Sequence, residues 1–181
     1  MNKQITLEQA VEKVHDGMTI VFGGFLGVES PTKIIDAIVA KGVKNLTIIA
    51  NDTAYDEVAH SKLVSYHQVK KAIVSHTGTN KQTALQKNEG TLEVEYVPQG
   101  TLAERIRVYG AGLDGVLTPT GMGTIMAEGT IGEFEVRGGD KVETWNNTDI
   151  PCQITTTSKR EDGTTTGKIS KIYFHKFEID F

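Results

Sequence analysis

Sixteen residues near the amino terminus constrain the fold more than any other stretch of the chain. Residues 16–31 read DGMTIVFGGFLGVESP, so a turn, an apolar run, a glycine loop and a helix start follow one another directly. A short apolar run bounded by glycines is typical of a strand that is buried on both faces, as in a parallel sheet. We predict this strand at residues 20–22, and a following helix that Ser30 caps and in which Pro31 takes the first position. Such a strand, loop and helix present backbone N–H groups to a phosphate or an acyl oxygen.

The same order of elements repeats along the chain. Strand-like segments at residues 46–50, 72–75 and 92–97 each lead into polar or glycine residues, and helical segments such as 81–87 and 101–109 follow. Alternating β and α elements predict an α/β fold with an open, mostly parallel sheet and helices on both faces. Ligands bind such sheets beyond the carboxyl ends of the strands, which is where the small and polar clusters fall.

The texture of the sequence changes near residue 130. Beyond it, alternating stretches rich in Thr, Ile, Tyr and Phe, with turns at 138–140 and 161–163, predict antiparallel β-structure. We therefore predict an α/β domain over residues 1–129 and a β-rich segment over 130–181. This segment completes the same domain, forms a β appendage or is a weakly ordered tail.

Composition excludes several classes of function. A length of 181 residues suits one core, and a net charge of −4 with scattered Lys and Arg leaves no footprint for nucleic acid or an anionic membrane. Cys152 is the only cysteine and the five histidines show no ligand spacing, so we expect neither a disulfide nor a metal site. Apolar runs too short for a bilayer and a polar start predict a cytoplasmic protein.

The paired glycines are the strongest candidate for chemistry. Gly23 and Gly24 let the backbone approach a ligand closely and can aim two N–H groups at an oxyanion. Taken alone the motif is weak, because a tight strand-to-helix turn without a ligand uses the same residues.

Longer patterns around this loop resemble the α subunit of family I coenzyme A transferases, of the acetate/butyrate–acetoacetate type. Asp-Gly, two open positions, three apolar residues, Gly-Gly-Phe and a Pro at the next helix carry the resemblance. The resemblance extends in order over residues 1–129, and the tail 130–181 does not match. The further matching segments are NLTIIANDT (45–53), HTGTN (76–80), EVEYVPQGTLAERIR (93–107) and GAGLDGVLTPTGMGT (110–124).

The resemblance implies a transferase that moves coenzyme A between a short-chain acyl-CoA and a free carboxylate, as in short-chain fatty acid metabolism. Coenzyme A would be a substrate and not a permanent cofactor. The nucleophilic glutamate would belong to a β subunit, so this chain alone would be inactive and would work in a heterodimer or heterotetramer. Asn51 would assist as a polar residue at the active site, and a stretch of seven residues would bind coenzyme A: Gly23, Gly24, Phe25, Leu26, Gly27, Val28 and Glu29.

The chain departs from the family pattern at three places before the tail. Glu29 stands where the family loop has glycine, residues 56–60 stand where many relatives have a Gly-rich stretch, and Val108-Tyr109 replaces small residues before Gly110. A carboxylate at position 29 that points inward would oppose an anionic ligand, whereas one that points outward would suit the start of the next helix. The alternative hypothesis is therefore a non-catalytic relative that acts as a small-anion binding or interaction module.

Overall fold

The computed structural model describes residues 4–112 without a break, residue 120, and six further strands between residues 115 and 176. The chain divides into two compact units, one of Met1–Gln99 with Ile179–Phe181 and one of Gly100–Glu178.

The first unit is a parallel α/β sheet with its connecting helices. The four strands pair in chain order, β1 with β2, β2 with β3 and β3 with β4, and every pairing is parallel. This confirms the predicted fold class. The elements are α1 (Leu7–Glu12), β1 (Thr19–Val21), α2 (Thr32–Lys41), β2 (Leu46–Ile49), α3 (Ser61–Ser65), β3 (Val69–Val74), α4 (Lys81–Asn88) and β4 (Glu93–Tyr96).

One face of this sheet carries the apolar core. Ile48, Ala72 and Val94 lie side by side in register on β2, β3 and β4. They belong to a cluster that includes Ile35 of α2 and Leu63 of α3, both fully buried. Successive helices also contact one another, α1 with α2, α2 with α3 and α3 with α4. Helices α2 and α3 therefore cover the apolar face, and strand alternation sends the intervening side chains to the other face.

The second face of the sheet is mixed in this unit: Ile49 and Ile73 lie in register on it and are buried, while charged side chains lie towards one end. Lys71 Nζ lies 2.9 Å from Glu93 Oε1 and 3.2 Å from Glu95 Oε2, and Val21 is 49% exposed. The prediction that β1 is buried on both faces is therefore wrong. Within the described residues β1 pairs with β2 alone, so it is an edge strand of this sheet.

The second unit starts with a helix and continues in antiparallel strands. They pair as β5 with β10, β6 with β7 and β8 with β9, as predicted for the β-rich segment. Because β5 precedes residue 130 and β10 follows it, the pairing of these two strands crosses the predicted domain boundary. The boundary itself stays a prediction. The turn predicted at 161–163 lies outside the described residues. The elements are α5 (Gln99–Gly110), β5 (Gly115–Thr118), β6 (Phe134–Gly138), β7 (Lys141–Trp145), β8 (Ser158–Lys159), β9 (Thr165–Thr166) and β10 (Tyr173–Lys176).

The ends of α2 show how local signals and tertiary contacts compete. Gly42 stops the helix in the left-handed conformation, at φ +75°. At the other end, the prediction that Ser30 caps the helix with Pro31 as its first residue is wrong. Pro31 is the N-cap residue, and no side chain caps the helix. Ser30 Oγ instead donates a hydrogen bond to Gly23 O at 3.1 Å. The Ser30 hydroxyl thus closes the glycine loop and does not cap the helix.

Candidate functional site

The glycine loop (residues 23–29) folds into a miniature hairpin beyond the end of β1. Phe25 and Val28 exchange two backbone hydrogen bonds, with N···O distances of 3.2 and 2.9 Å. Between them, Leu26 has φ +52° and Gly27 has φ +85°. Positive φ at both central residues defines a type I′ turn, which joins hairpin strands tightly. The loop is therefore a closed turn with a defined shape.

Two of the loop glycines are required by this shape and one is not. Gly24 has φ +113°, and a Cβ there would lie 2.6 Å from Val28 O and against Ser30 Oγ. Gly27 has φ +85°, and its Cβ would lie 2.5 Å from Val58 Cγ1. At Gly23, no described heavy atom beyond its chain neighbours lies within 4 Å of a Cβ position. The absent side chain at Gly23 thus leaves space that a ligand can enter.

Several backbone amides of the loop are unused within the described residues. Phe25 and Val28 bond each other, and Leu26 bonds a side chain. The amides of Gly23, Gly24, Gly27 and Glu29 make no hydrogen bond within the described part of the chain. Amides in such a turn are donors that can meet a phosphate or a developing oxyanion.

The buried carboxylate of Asp52 connects the loop to the sheet. Asp52 follows β2 by three residues and is 1% exposed. Its Oδ2 accepts a hydrogen bond from the Leu26 amide at 2.9 Å, and its Oδ1 accepts one from the Ala54 amide at 2.6 Å. Both donors are non-glycine residues with positive φ, at +52° and +56°. Such a conformation costs about 1–2 kcal/mol per residue, and charge-assisted hydrogen bonds offset this cost.

The imidazole ring of His60 supports both Asp52 and the root of the loop. His60 Nε2 donates to Asp52 O at 2.8 Å, and the ring stacks on Phe22. Since a carbonyl oxygen only accepts, Nε2 carries the hydrogen and the neutral ring leaves Nδ1 bare; Nδ1 has no partner among the described atoms. Burial lowers the pKa of His60, and the Asp52 carbonyl and charge oppose that shift in part. His60 is thus a neutral structural group here.

Asn51 lies at the same edge of the sheet as the loop tip. Its carbonyl oxygen accepts hydrogen bonds from the Ser75 amide at 2.9 Å and from Ser75 Oγ at 2.7 Å. Asp52 and His76 form a parallel bridge next to it. The structure therefore brings together the two sequence-predicted parts of the site, because Asn51 is the neighbour of the residue that holds Leu26.

Sequence reasoning missed Asp52 and His60. The signal that could have found Asp52 was an acidic residue just after an apolar strand, at the edge where ligands bind. No comparable local signal marks His60, since its contacts are with residues remote in sequence.

Exposed apolar side chains lie on the loop and beside it. Phe25 and Val28 are 61% and 66% exposed, and Val58 is also exposed. Val58 reaches the loop at Gly27.

Glu29 is exposed and left-handed, with φ +61°. Glycine adopts this conformation without strain, whereas other residues rarely adopt it. Glu57 and Ala59 are also left-handed, at φ +60° and +48°. These three positions therefore hold left-handed backbone without glycine.

Among the described residues, no three His, Cys, Asp or Glu side chains gather where they could hold a metal ion. None of the described helices combines the length and the apolar character that a membrane span requires.

Fold and site together define a class of protein, a ligand-binding α/β domain. A glycine hairpin and polar residues lie at the carboxyl edge of its parallel sheet, where open α/β sheets bind ligands. The model of the Coenzyme A transferase family matches residues 4–161, and the chain belongs to that family. The match extends beyond residue 129, where the sequence resemblance ended.

Named relatives carry the comparison further. The chain is 47% identical over 127 residues to the acetate CoA-transferase subunit alpha of Escherichia coli K12, covering 70% of this chain and 58% of that one. It is 51% identical over 128 residues to the acetoacetyl-CoA:acetate/butyrate CoA transferase alpha subunit of Clostridium acetobutylicum, covering 71% and 59%. The chain thus spans under three fifths of the length of these relatives.

A solved structure agrees on the fold. The acyl-CoA transferase apoenzyme from Escherichia coli O157:H7 superposes with a TM-score of 0.61 at 21% identity, over 78% of this chain and 31% of that one. At this identity the likeness concerns the fold alone.

Proposed function

We propose that the chain is the α subunit of a short-chain acyl-CoA:carboxylate CoA-transferase. The observation that supports this most is the closed glycine hairpin, tied through Asp52 to the sheet edge beside Asn51. The two relatives described above are named as alpha subunits of CoA-transferases.

In this proposal the glycine loop binds coenzyme A as a substrate. The loop offers amides with no partner in the described part, the space above Gly23, and the apolar surfaces of Phe25 and Val28. Apolar contact suits the uncharged arm of an acyl-CoA, and N–H donors suit its carbonyl or phosphate oxygens.

The chemical step is divided between two chains. A glutamate carboxylate of a β subunit attacks the acyl-CoA carbonyl and expels the CoA thiolate, which forms an acyl anhydride. The thiolate then attacks the glutamyl carbonyl and releases the acyl group as a carboxylate, which leaves a glutamyl-CoA thioester. Loop amides and Asn51 stabilise the negative charge on the carbonyl oxygen during attack. This chain alone is inactive and works in a heterodimer or heterotetramer in the cytoplasm.

The test is reconstitution with the cognate β subunit. The assay measures CoA exchange from acetyl-CoA to acetoacetate or butyrate, with each chain alone as control. We expect exchange only with both chains present. A verified complex of the two chains that exchanges no CoA with any short-chain carboxylate would contradict the proposal.

A second candidate is the non-catalytic small-anion or interaction module. The exposed Glu29 carboxylate in the glycine loop opposes the anionic coenzyme A, which favours a non-catalytic relative over a transferase subunit. Calorimetry with coenzyme A separates the two, because the transferase subunit binds it in the complex and the module does not.

A further inference from the structure

We propose that Asp52 is a positioning residue that fixes the glycine loop relative to Asn51 for acyl-CoA binding. The inference rests on the proposed function. It concerns a residue that touches the loop and not the ligand.

The geometry makes Asp52 the joint between two turns. One carboxylate oxygen holds Leu26 at the loop tip and the other holds Ala54 in the turn that follows β2. The backbone of Asp52 is itself held, because its carbonyl accepts from His60 Nε2 and its neighbour Asn51 is bonded twice by Ser75. The side chain therefore has a rigid base and two fixed donors.

This joint matters because the unused amides of the loop flank Leu26. Donors act on a developing oxyanion only when they lie at hydrogen-bond distance from it, and a shift of about 1 Å can cost roughly 100-fold in rate. Loss of the bond to Leu26 would move the loop while Ser75 still anchors Asn51. The loop amides and Asn51 would then no longer hold their relative positions.

Asp52→Asn is the variant that tests this. It keeps the size of the side chain and one acceptor oxygen, and it presents an NH₂ group to one of the two donor amides. Asp56→Asn is the matched control: Asp56 Oδ1 also accepts from two backbone amides, those of Lys81 at 2.9 Å and Gln82 at 3.4 Å, at the start of α4.

Three measurements on the complex with the β subunit decide the outcome. In the wild type, hydrogen exchange at the Leu26 amide should be at least about tenfold slower than at the Gly27 amide, because only Leu26 is bonded to Asp52. In Asp52→Asn that protection should be lost, and the KM for acyl-CoA should rise about tenfold. Asp56→Asn should speed exchange at Lys81 and Gln82 and leave the KM for acyl-CoA unchanged.

Each other outcome overturns the inference. If the Leu26 amide of the wild type is not protected from hydrogen exchange, its hydrogen bond to Asp52 is absent. This result holds even if the variant fails to fold. A lost protection with an unchanged KM, or equal changes of KM in both variants, reduces Asp52 to a general structural role. If the wild-type complex transfers no CoA, the proposed function fails, while Leu26 exchange still shows whether Asp52 holds the loop.

Discussion

The ring of His60 stacks on the ring of Phe22, with centroids 5.5 Å apart and planes 6° apart. Parallel rings at this distance are offset, which is a favoured arrangement of aromatic pairs. Phe22 directly precedes the glycine loop, and His60 also donates to Asp52 O. One neutral ring therefore supports the root of the loop and the residue that holds its tip.

We expect the stability of the domain to fall as the pH falls below about 6.5. Burial lowers the pKa of His60 in the folded state from its ordinary value of 6.5, although the hydrogen bond to Asp52 O and the Asp52 charge offset part of this shift. The unfolded chain then binds the proton more readily, so His60 contributes full stability above pH 6.5 and loses it as the pH falls towards the folded pKa. Urea unfolding at pH 7.5 and 5.5 measures the change.

The control for this prediction removes the His60 imidazole. His60→Gln should flatten the part of the pH dependence below 6.5. A slope that survives in His60→Gln would assign the effect to other groups.

The paired glycines should differ sharply in their tolerance of a methyl group. Gly24→Ala should lower the free energy of unfolding by about 1–3 kcal/mol, because φ is +113° and the Cβ meets Val28 O. Gly23→Ala should change it by less than about 0.5 kcal/mol but raise the KM for acyl-CoA, because the Cβ enters the open space. An unchanged KM in Gly23→Ala would remove this side of the loop from the binding site.

Glu29→Gly should stabilise the chain and strengthen binding of coenzyme A. Relief of a left-handed conformation gains about 1–2 kcal/mol, and the greater freedom of glycine in the unfolded chain cancels about half of it. Removal of the charge should raise the affinity about two- to fivefold by calorimetry.

Glu57→Gly separates the two effects of that substitution. Glu57 is also exposed and has φ +60°, so its replacement should give a similar gain in stability with no change in affinity. If Glu29→Gly creates binding that the wild type lacks, the non-catalytic alternative gains. If both proteins bind equally well, the Glu29 charge lies away from the ligand.

Lys41 should contribute to stability more than an exposed lysine normally does. Its Nζ donates to the carbonyls of Val11, Glu12 and Val14, at 2.9, 2.9 and 2.6 Å, and so closes the carboxyl end of α1. Lys41→Met should lower the free energy of unfolding by about 1–2 kcal/mol. Lys33→Met, on the same helix and outside these bonds, should change it by less than about 0.5 kcal/mol, and equal losses would contradict the role of Lys41.

The predictable part of the fold is the part that local signals control. The apolar run at 46–50 became β2 and Gly42 ended α2, since burial pattern and a left-handed stop act within a few residues. The same reasoning went wrong at Val21 and Ser30. The exposure of Val21 depends on what packs over its face of the sheet. The Ser30 hydroxyl could accept from a helix amide or donate to Gly23 O, and it donates. Neither outcome can be predicted from the neighbouring residues alone.

The site divides in the same way. The sequence alone determined an α/β chain with a glycine loop after its first strand, and it pointed to Asn51 through the family resemblance. Only the tertiary structure decided that Asp52 holds the loop tip, because that bond joins residues 26 positions apart and needs β1 and β2 in a particular register. It also decided that His60 is buried against Phe22, since burial is a property of the packed chain and not of the residue.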